Sequence, residues 1–260
     1  MKLLRVFVAI CSVSVRRSLA FRANLIFQML MTATGLGAGL AALGIVYSQT
    51  QTLGGWRLGD VIVLLGTYQI VSGVLATFIE PNVMWFAGQV KSGKLDDILL
   101  KPISSLFLAS LGSCAPLELS QVMLGLVVVA VGLVTMGTAV TLWNSVGWLL
   151  MLMLGIAVMW ASRVLVASVA LWAPGIDLDV VYGALWQFGR YPVSIYQPPI
   201  RFVLTYVLPV AFISTLPARA LTHGTSLPLL VFGLLVGLGA VMIVRTVWNL
   251  GLRRYTSATS

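Results

Sequence analysis

The sequence predicts an all-α polytopic membrane protein with about six transmembrane helices, and three observations predict it. The chain is 59% hydrophobic and 9% charged, with a mean hydropathy of +1.02, whereas soluble domains carry about 25% charged residues. Several apolar runs reach the roughly 20 residues that cross a hydrocarbon core as helix. The basic residues gather at alternate ends of those runs, the pattern that fixes orientation in a bilayer. The net charge of +9 is therefore read as topology and not as a nucleic-acid footprint. No basic patch interleaved with aromatics lies on a polar domain.

Residues 1–22 alternate apolar and basic positions at helical spacing. Leu3, Leu4, Phe7, Ile10 and Ser14 share one side, and Arg5, Arg16 and Arg17 reach headgroups, so an interfacial amphipathic helix or a basic topology anchor is expected. Arg16-Arg17 has a superficial likeness to a twin-arginine signal, but the apolar run from Asn24 has full span length. An uncleaved first helix is the expectation.

The first span runs over residues 24–47 and the second over 60–79, stopped by Glu80-Pro81. Residues 80–115 form a moderately polar interval with short helices at 83–90 and 95–100. Ser92-Gly93 separates them, and Lys101-Pro102 ends the second. The third and fourth spans are expected at 116–140 and 146–172. Residues 173–226 are rich in proline (Pro174, Pro192, Pro198, Pro199, Pro209, Pro217). They read as an interfacial stretch followed by a broken fifth span at 200–221, with a re-entrant hairpin as the other reading. The last span is 227–250, closed by Arg253-Arg254. The chain is treated as one transmembrane domain over 1–260 without an internal repeat.

With the N-terminus inside, Lys2, Arg5, Arg16, Arg17, Arg22, Lys91, Lys94, Lys101, Arg190, Arg201, Arg253 and Arg254 lie on the cytoplasmic side. Arg57 and Arg219 lie outside, and Arg163 and Arg245 within spans. Twelve against two predicts both termini cytoplasmic in a cell inner membrane.

Catalytic and metal signatures are missing from the sequence. There is no phosphate-binding Gly-rich loop and no metalloprotease or nucleophile-elbow motif. Cys11, Cys114 and His223 lack ligand spacing. A non-catalytic chain without a metal or cofactor of its own is expected.

Two stretches carry a family likeness. The run Ser92-Gly93-Lys94-Leu95-Asp96-Asp97-Ile98-Leu99-Leu100-Lys101-Pro102-Ile103-Ser104 resembles the G-x-L-x-x-L-L-x-x-P-x-S stretch of ABC-2 type exporter permeases. The segments Arg190-Tyr191-Pro192-Val193-Ser194-Ile195-Tyr196 and Thr205-Tyr206-Val207-Leu208-Pro209-Val210-Ala211-Phe212, with Pro217-Ala218, are similar to one branch of that superfamily. Permeases of that branch often occur as two related subunits beside one ATPase.

The resemblance implies an ABC-2 exporter fold. It also implies a dimer of permeases, self or related, bound to two ATPase subunits that hold ATP and Mg. The segment between the second and third spans would then be the coupling helix. Gly93, Leu95, Asp96, Leu99, Leu100 and Pro102 match the family positions. Gly93 breaks the preceding helix, and Pro102 stops the next. Lys94, Asp96, Asp97 and Lys101 can meet charges on a partner. Leu95, Leu99 and Leu100 either anchor in the membrane interface or fill a groove on the ATPase; an ordinary amphipathic helix on the membrane is the plainer alternative.

The implied activity is ATP-driven export of a drug, antibiotic or lipid-like amphiphile by alternating access. The alternative is a secondary transporter or channel driven by an ion gradient, for which Glu118 is the best buried carboxylate. Glu118 and Arg163 are expected to pair, since Arg163 has no other obvious carboxylate; otherwise Glu118 lines a cavity that attracts a cation. Arg190 either holds a phosphate or carboxylate or marks the interface, with Pro192 fixing a turn. Residues 35–39 and Gly233/Gly237 supply small-residue spacing for helix packing. Trp143, Trp148, Tyr182, Trp186, Tyr191 and Trp248 are expected as interfacial anchors.

Overall fold

The computed structural model describes residues 2–19, 22–137, 139–173, 175–176 and 178–254, without the side chains of residues 2–4, 6, 17–19 and 22–25. The expectations for the side chains of Lys2, Leu3, Leu4, Arg17 and Arg22, and for Pro174, lie outside the described residues.

The helices, in order, are α1 (Lys2–Leu19), α2 (Arg22–Gln49), α3 (Leu58–Phe78), α4 (Glu80–Lys91), α5 (Asp96–Leu99) and α6 (Ser105–Leu111). They continue with α7 (Leu119–Met136), α8 (Leu142–Ser168), α9 (Asp179–Trp186), α10 (Pro198–Phe202), α11 (Thr215–Thr222) and α12 (Leu227–Arg254). Five helical stretches are long and apolar enough to span a bilayer: Ile26–Gln49, Leu58–Phe78, Pro116–Met136, Leu142–Leu171 and Leu227–Arg254.

The central helix is α3. Of its most apolar window, 78% is buried, against 11% for α2. It is apolar on every side, as a helix surrounded by neighbours must be. Its tightest contact is with α7, where a Cβ added at Gly66 would lie 2.7 Å from the Val129 nitrogen and one at Gly125 2.8 Å from the Gly66 oxygen. Gly59, Gly66 and Gly73 recur every seven residues on that face, so two backbones meet without side chains between them. The glycines flagged in the sequence serve differently. Gly233 and Gly237 pack on Met151 and Leu154 of α8, whereas Gly35 and Gly37 have open space around them.

One end of the bundle gathers α1, α4–α6 and the C-terminal turn of α12. There Phe7 meets Phe78 at 5.7 Å between ring centroids, and Trp248 stacks on Phe86 at 4.6 Å and donates to Ser105 Oγ. Within α1, Phe7, Ile10, Cys11 and Ser14 turn inward while Arg5, Val8, Ser12 and Arg16 are exposed, the amphipathic pattern its sequence predicts. The opposite end collects residues 50–57, 139–145, 193–196 and 223–226. Trp143 donates to the Thr225 carbonyl, Asn144 Oδ1 accepts from the Thr225 amide, and Ser194 donates to the Gly54 carbonyl.

Residues 179–222 depart from the sequence expectation. The passage between the two ends is made by 179–195 and not by 200–221. Asp179 lies at Arg163, Trp186 at Ser72 and Arg190 at Tyr68, halfway along α3, while Ser194 has reached Gly54. This crossing is α9 followed by 3₁₀ turns at Gln187–Arg190 and Val193–Ile195. Residues 198–222 then form a re-entrant hairpin. Its descending arm is α10 and a π-helical turn (Val203–Val207), its tip follows Pro209, and α11 returns.

At the tip Phe212 meets Gly155 of α8, where a Cβ would strike the Phe212 carbonyl. Irregular backbone at this depth needs internal partners, and it has them: Ser214 Oγ donates to the Gly189 carbonyl and the Val193 amide to Thr215 Oγ1. Arg190 and Arg201 therefore leave the end that bears α5. Ten basic residues stay there, against Arg57, Arg201 and Arg219 at the other; the bias weakens without reversing.

Candidate functional site

The segment joining α4 to α6 is a short platform with two faces. Gly93 adopts φ +70°, which only glycine takes without strain, and it ends α4 with Lys94 N donating to the Gln89 carbonyl. Leu95 and Ile98 point inward and are fully buried. Lys94, Asp97, Leu99, Leu100, Lys101 and Pro102 point outward, and Leu100 is 84% exposed. The sequence left Leu95, Leu99 and Leu100 with the same two alternatives, anchoring or filling a groove on the ATPase. The structure divides them: Leu95 anchors with Ile98, a residue missing from the expected set, and Leu99 and Leu100 are presented. Asp96, at the first turn of α5, is half-buried.

Asn82, also missed by the sequence reading, ties this platform to the spans. Buried to 1% exposure, its Nδ2 donates to the carbonyls of Phe78 (2.7 Å), Ser110 (3.2 Å) and Ser113 (2.9 Å). Its Oδ1 accepts from Ser113 Oγ at 2.8 Å. A lone amide directly after Pro81 in an apolar run was the available signal.

Nearby, α1 sits against the turn Pro116–Glu118, and Cys11 faces Cys114. Burial first, then the adjacent Cys11 thiol, push the Cys114 thiol up to about 12.

Arg163 and Glu118 do not form the expected pair. Arg163, 9% exposed, donates from Nη2 to Glu80 Oε1 (2.6 Å) and from Nη1 to Asp179 Oδ1 (3.0 Å). Its guanidinium lies 4.8 Å over the Tyr182 ring and 5.3 Å from that of Trp186. One cation thus joins the first residue of α4 to the first residue of α9. Glu118 instead accepts from Gln28 of α2 and Gln121 of α7, and Gln69 donates to Gln121 Oε1 at 3.1 Å. The pairing fails because Arg163 faces α4 and α9, whereas Glu118 faces α2. Sequence spacing alone does not report which face of α8 is turned to which neighbour.

Beside this cluster lies a cavity of about 480 Å³ between α2, α3, α7 and α9. Gln69, Ser72, Gln121, Glu80, Arg163, Gln187 and Arg190 supply its polar groups, and Leu36, Leu43, Leu65 and Trp186 its apolar wall. Arg190 and Tyr191 are thus cavity-lining, with Arg190 5.6 Å over the Tyr68 ring, and not interfacial. Pro192 is buried where the crossing turns outward, and Pro209 precedes the hairpin tip. Four of the expected interfacial anchors are internal braces. Trp186 donates to Ser72, Trp148 to Thr67 and Trp248 to Ser105, while Tyr182 bonds Ser162.

Among the described residues no group of three or more His, Cys, Asp or Glu side chains could hold a metal. His223 stacks on Trp56 at 5.0 Å, bonds Thr222 Oγ1 at 2.7 Å and lies 4.0 Å from Asp60.

Comparison with curated proteins gives no match, and comparison with solved structures gives none. The family model described as "ABC-2 family transporter protein" matches residues 34–259. This range holds all five long helices apart from the first turns of α2, and it includes the platform and the cavity lining other than Met31 and Thr32. Members of that family are generally non-catalytic membrane subunits that associate with an ABC ATPase. The chain belongs to the ABC-2 transporter family and is a multi-pass membrane permease.

Proposed function

We propose that this permease is the membrane half of an ATP-driven exporter in the cell inner membrane. In this reading a homo- or heterodimer of permeases binds two ATPase subunits carrying ATP and Mg, with both termini cytoplasmic. The cargo is a hydrophobic or amphiphilic molecule such as a drug, an antibiotic or a lipid-like compound. The observation that carries the reading is the chain of contacts from platform to cavity. Leu99, Leu100, Asp97 and Lys101 are exposed beside a rigidly anchored Leu95–Ile98 face, and α4 leads from there to Glu80. Through Arg163, Glu80 is tied to Asp179 of α9, which walls the cavity.

The mechanism in this reading runs along that chain of contacts. Closure of the ATPase pair pushes the presented leucines and charges. Because Leu95, Ile98 and Asn82 hold the platform to α4 and α6, it moves as one piece with α4. The Glu80–Arg163–Asp179 link carries that displacement to α9, and the cavity between α2, α3 and α9 changes its opening. Tyr68, Trp186 and Leu65 offer apolar contact to cargo, and Gln69, Gln187 and Arg190 polar contact. Small polar and charged groups on an apolar wall suit an amphiphile better than a bare ion. The chain supplies the path and the ATPase the free energy.

The test is to co-express the chain with its partner ATPase and any related permease, purify the assembly in nanodiscs, and compare wild type with Leu99→Ala/Leu100→Ala. Loss of ATPase association or of stimulated turnover in the variant, with its folding intact, is the expected result. Transport that follows an imposed ion gradient with no ATPase bound would instead select the secondary-transporter alternative.

A further inference from the structure

A second cavity, of about 640 Å³, lies at the end opposite α5, between the Gly54–Trp56 loop, the arms of the re-entrant hairpin and α12. Its basic lining is Arg201, Arg219 and His223, and among the described residues no carboxylate lines it. Its apolar lining includes the rings of Trp56, Tyr206 and Phe232.

The hairpin builds this lining deliberately. Arg201 Nη2 donates to the carbonyls of Ser194 (2.7 Å) and Tyr196 (3.1 Å), which pins the guanidinium at the wall and leaves its other donors. Arg219 lies on α11, and His223, which caps that helix, follows one turn later with its amide on the Arg219 carbonyl. The π-helical turn Val203–Val207 brings Thr205 and Tyr206 to the opposite wall; such turns recur at functional sites. His223 is held on the Trp56 ring, so the basic and aromatic groups form one surface.

Two guanidiniums without a lining carboxylate favour an anion, and their planar forks suit carboxylate or phosphate oxygens. The rings beside them favour an apolar chain. The rings alone could attract a choline ammonium, but the two guanidiniums beside them repel it, so an anionic headgroup is preferred over a zwitterionic one. We infer that this cavity binds an anionic amphiphile, its headgroup on Arg201 and Arg219 and its chain along Trp56, Tyr206 and Phe232. The inference is independent of the coupling mechanism proposed above. The amphiphile has two sources, a resident anionic phospholipid or a transported molecule leaving the protein.

The test reconstitutes the full chain in phosphatidylcholine nanodiscs containing a minor share of phosphatidylglycerol and counts retained lipid by native mass spectrometry. Wild type is expected to retain phosphatidylglycerol in preference to phosphatidylcholine. Arg219→Gln, at an exposed position whose loss leaves packing intact, is expected to weaken phosphatidylglycerol retention about tenfold, with Arg219→Lys falling in between. Equal retention of the two lipids by wild type, or no change in Arg219→Gln, overturns the inference. Repeating the count with the partner ATPase and ATP separates the sources. Retention that falls during turnover identifies cargo, and retention indifferent to ATP identifies a resident lipid; either supports the site.

Discussion

The two irregular regions of this permease, the α4–α6 platform and the re-entrant hairpin, interrupt the spans at opposite ends and are built on opposite principles. The platform buries two anchors, Leu95 and Ile98, and shows water its charges and two leucines. The hairpin buries its tip outright: Val210, Ala211, Phe212 and Ile213 are all within 3% of full burial. A short element held at two points and exposed elsewhere can take a load and move as a unit. One packed into α8 and braced by the Ser214 and Thr215 hydroxyls against backbone groups is a fixed part of the wall. The difference teaches that broken helix in a membrane protein has two uses, and that burial of the apolar side chains separates them.

The comparison breaks most severely at Gly155. A Gly155→Val substitution drives a side chain into the Phe212 carbonyl and is expected to cost about 3 kcal/mol, lowering the melting temperature by roughly 6–12 °C. Gly88→Ala in α4, where a Cβ meets nothing within 4 Å, is expected to cost nothing and to raise it by roughly 2–4 °C. Thermal unfolding in detergent, followed by tryptophan fluorescence, reads both.

Asn82→Leu attacks the platform from inside. It strips the carbonyls of Ser110 and Ser113 of their donor and the Ser113 hydroxyl of its acceptor, a cost of about 2 kcal/mol. The melting temperature is expected to fall by roughly 4–8 °C. A fall confined to the noise would mean that the platform is not held through this amide.

Leu100→Ser sharpens the contrast. With its side chain 84% exposed, stability should change by less than about 0.5 kcal/mol, while affinity for the ATPase falls. Equal losses of stability and affinity would place Leu100 in the structural anchor.

The smallest effect concerns Cys114. Its thiol is pushed up to about 12, and the thiolate is the reactive form. Maleimide labelling of Cys114 in a Cys11→Ser background should stay slow through pH 9, whereas an unperturbed thiol accelerates through about pH 8.5. The sign follows because raising pH generates thiolate only as it approaches the raised value.

Much of this architecture was legible in the chain. The four leading spans and the last are set by local hydropathy, and the platform by Gly93, Lys101 and Pro102, whose effects act over a few residues. Residues 173–226 were not legible in detail. Asp179–Ile195 is too short and too interrupted to read as a span, and its backbone is satisfied by residues distant in sequence, such as Ser214 and Thr215. Proline marked the interruption without telling which arm crosses. The Glu118–Arg163 expectation failed for a related reason, because the facing of α8 toward α4 and α9 is a tertiary property. Trp186 and Trp248 were read as lipid-interface anchors from composition, yet each is buried and donates to a half-buried serine hydroxyl.

The central claim is that displacement at the platform reaches the cavity through Arg163. It is tested most directly by cysteine accessibility in the assembled complex, with Gln187→Cys as the reporter in a Cys11→Ser/Cys114→Ser background. ATP is predicted to change the labelling rate of this cavity residue when Arg163 is present. Arg163→Lys and Arg163→Met should abolish that change while the ATPase remains bound. An ATP-dependent change that persists unaltered in both variants would contradict the account and require another route from α5 to α9.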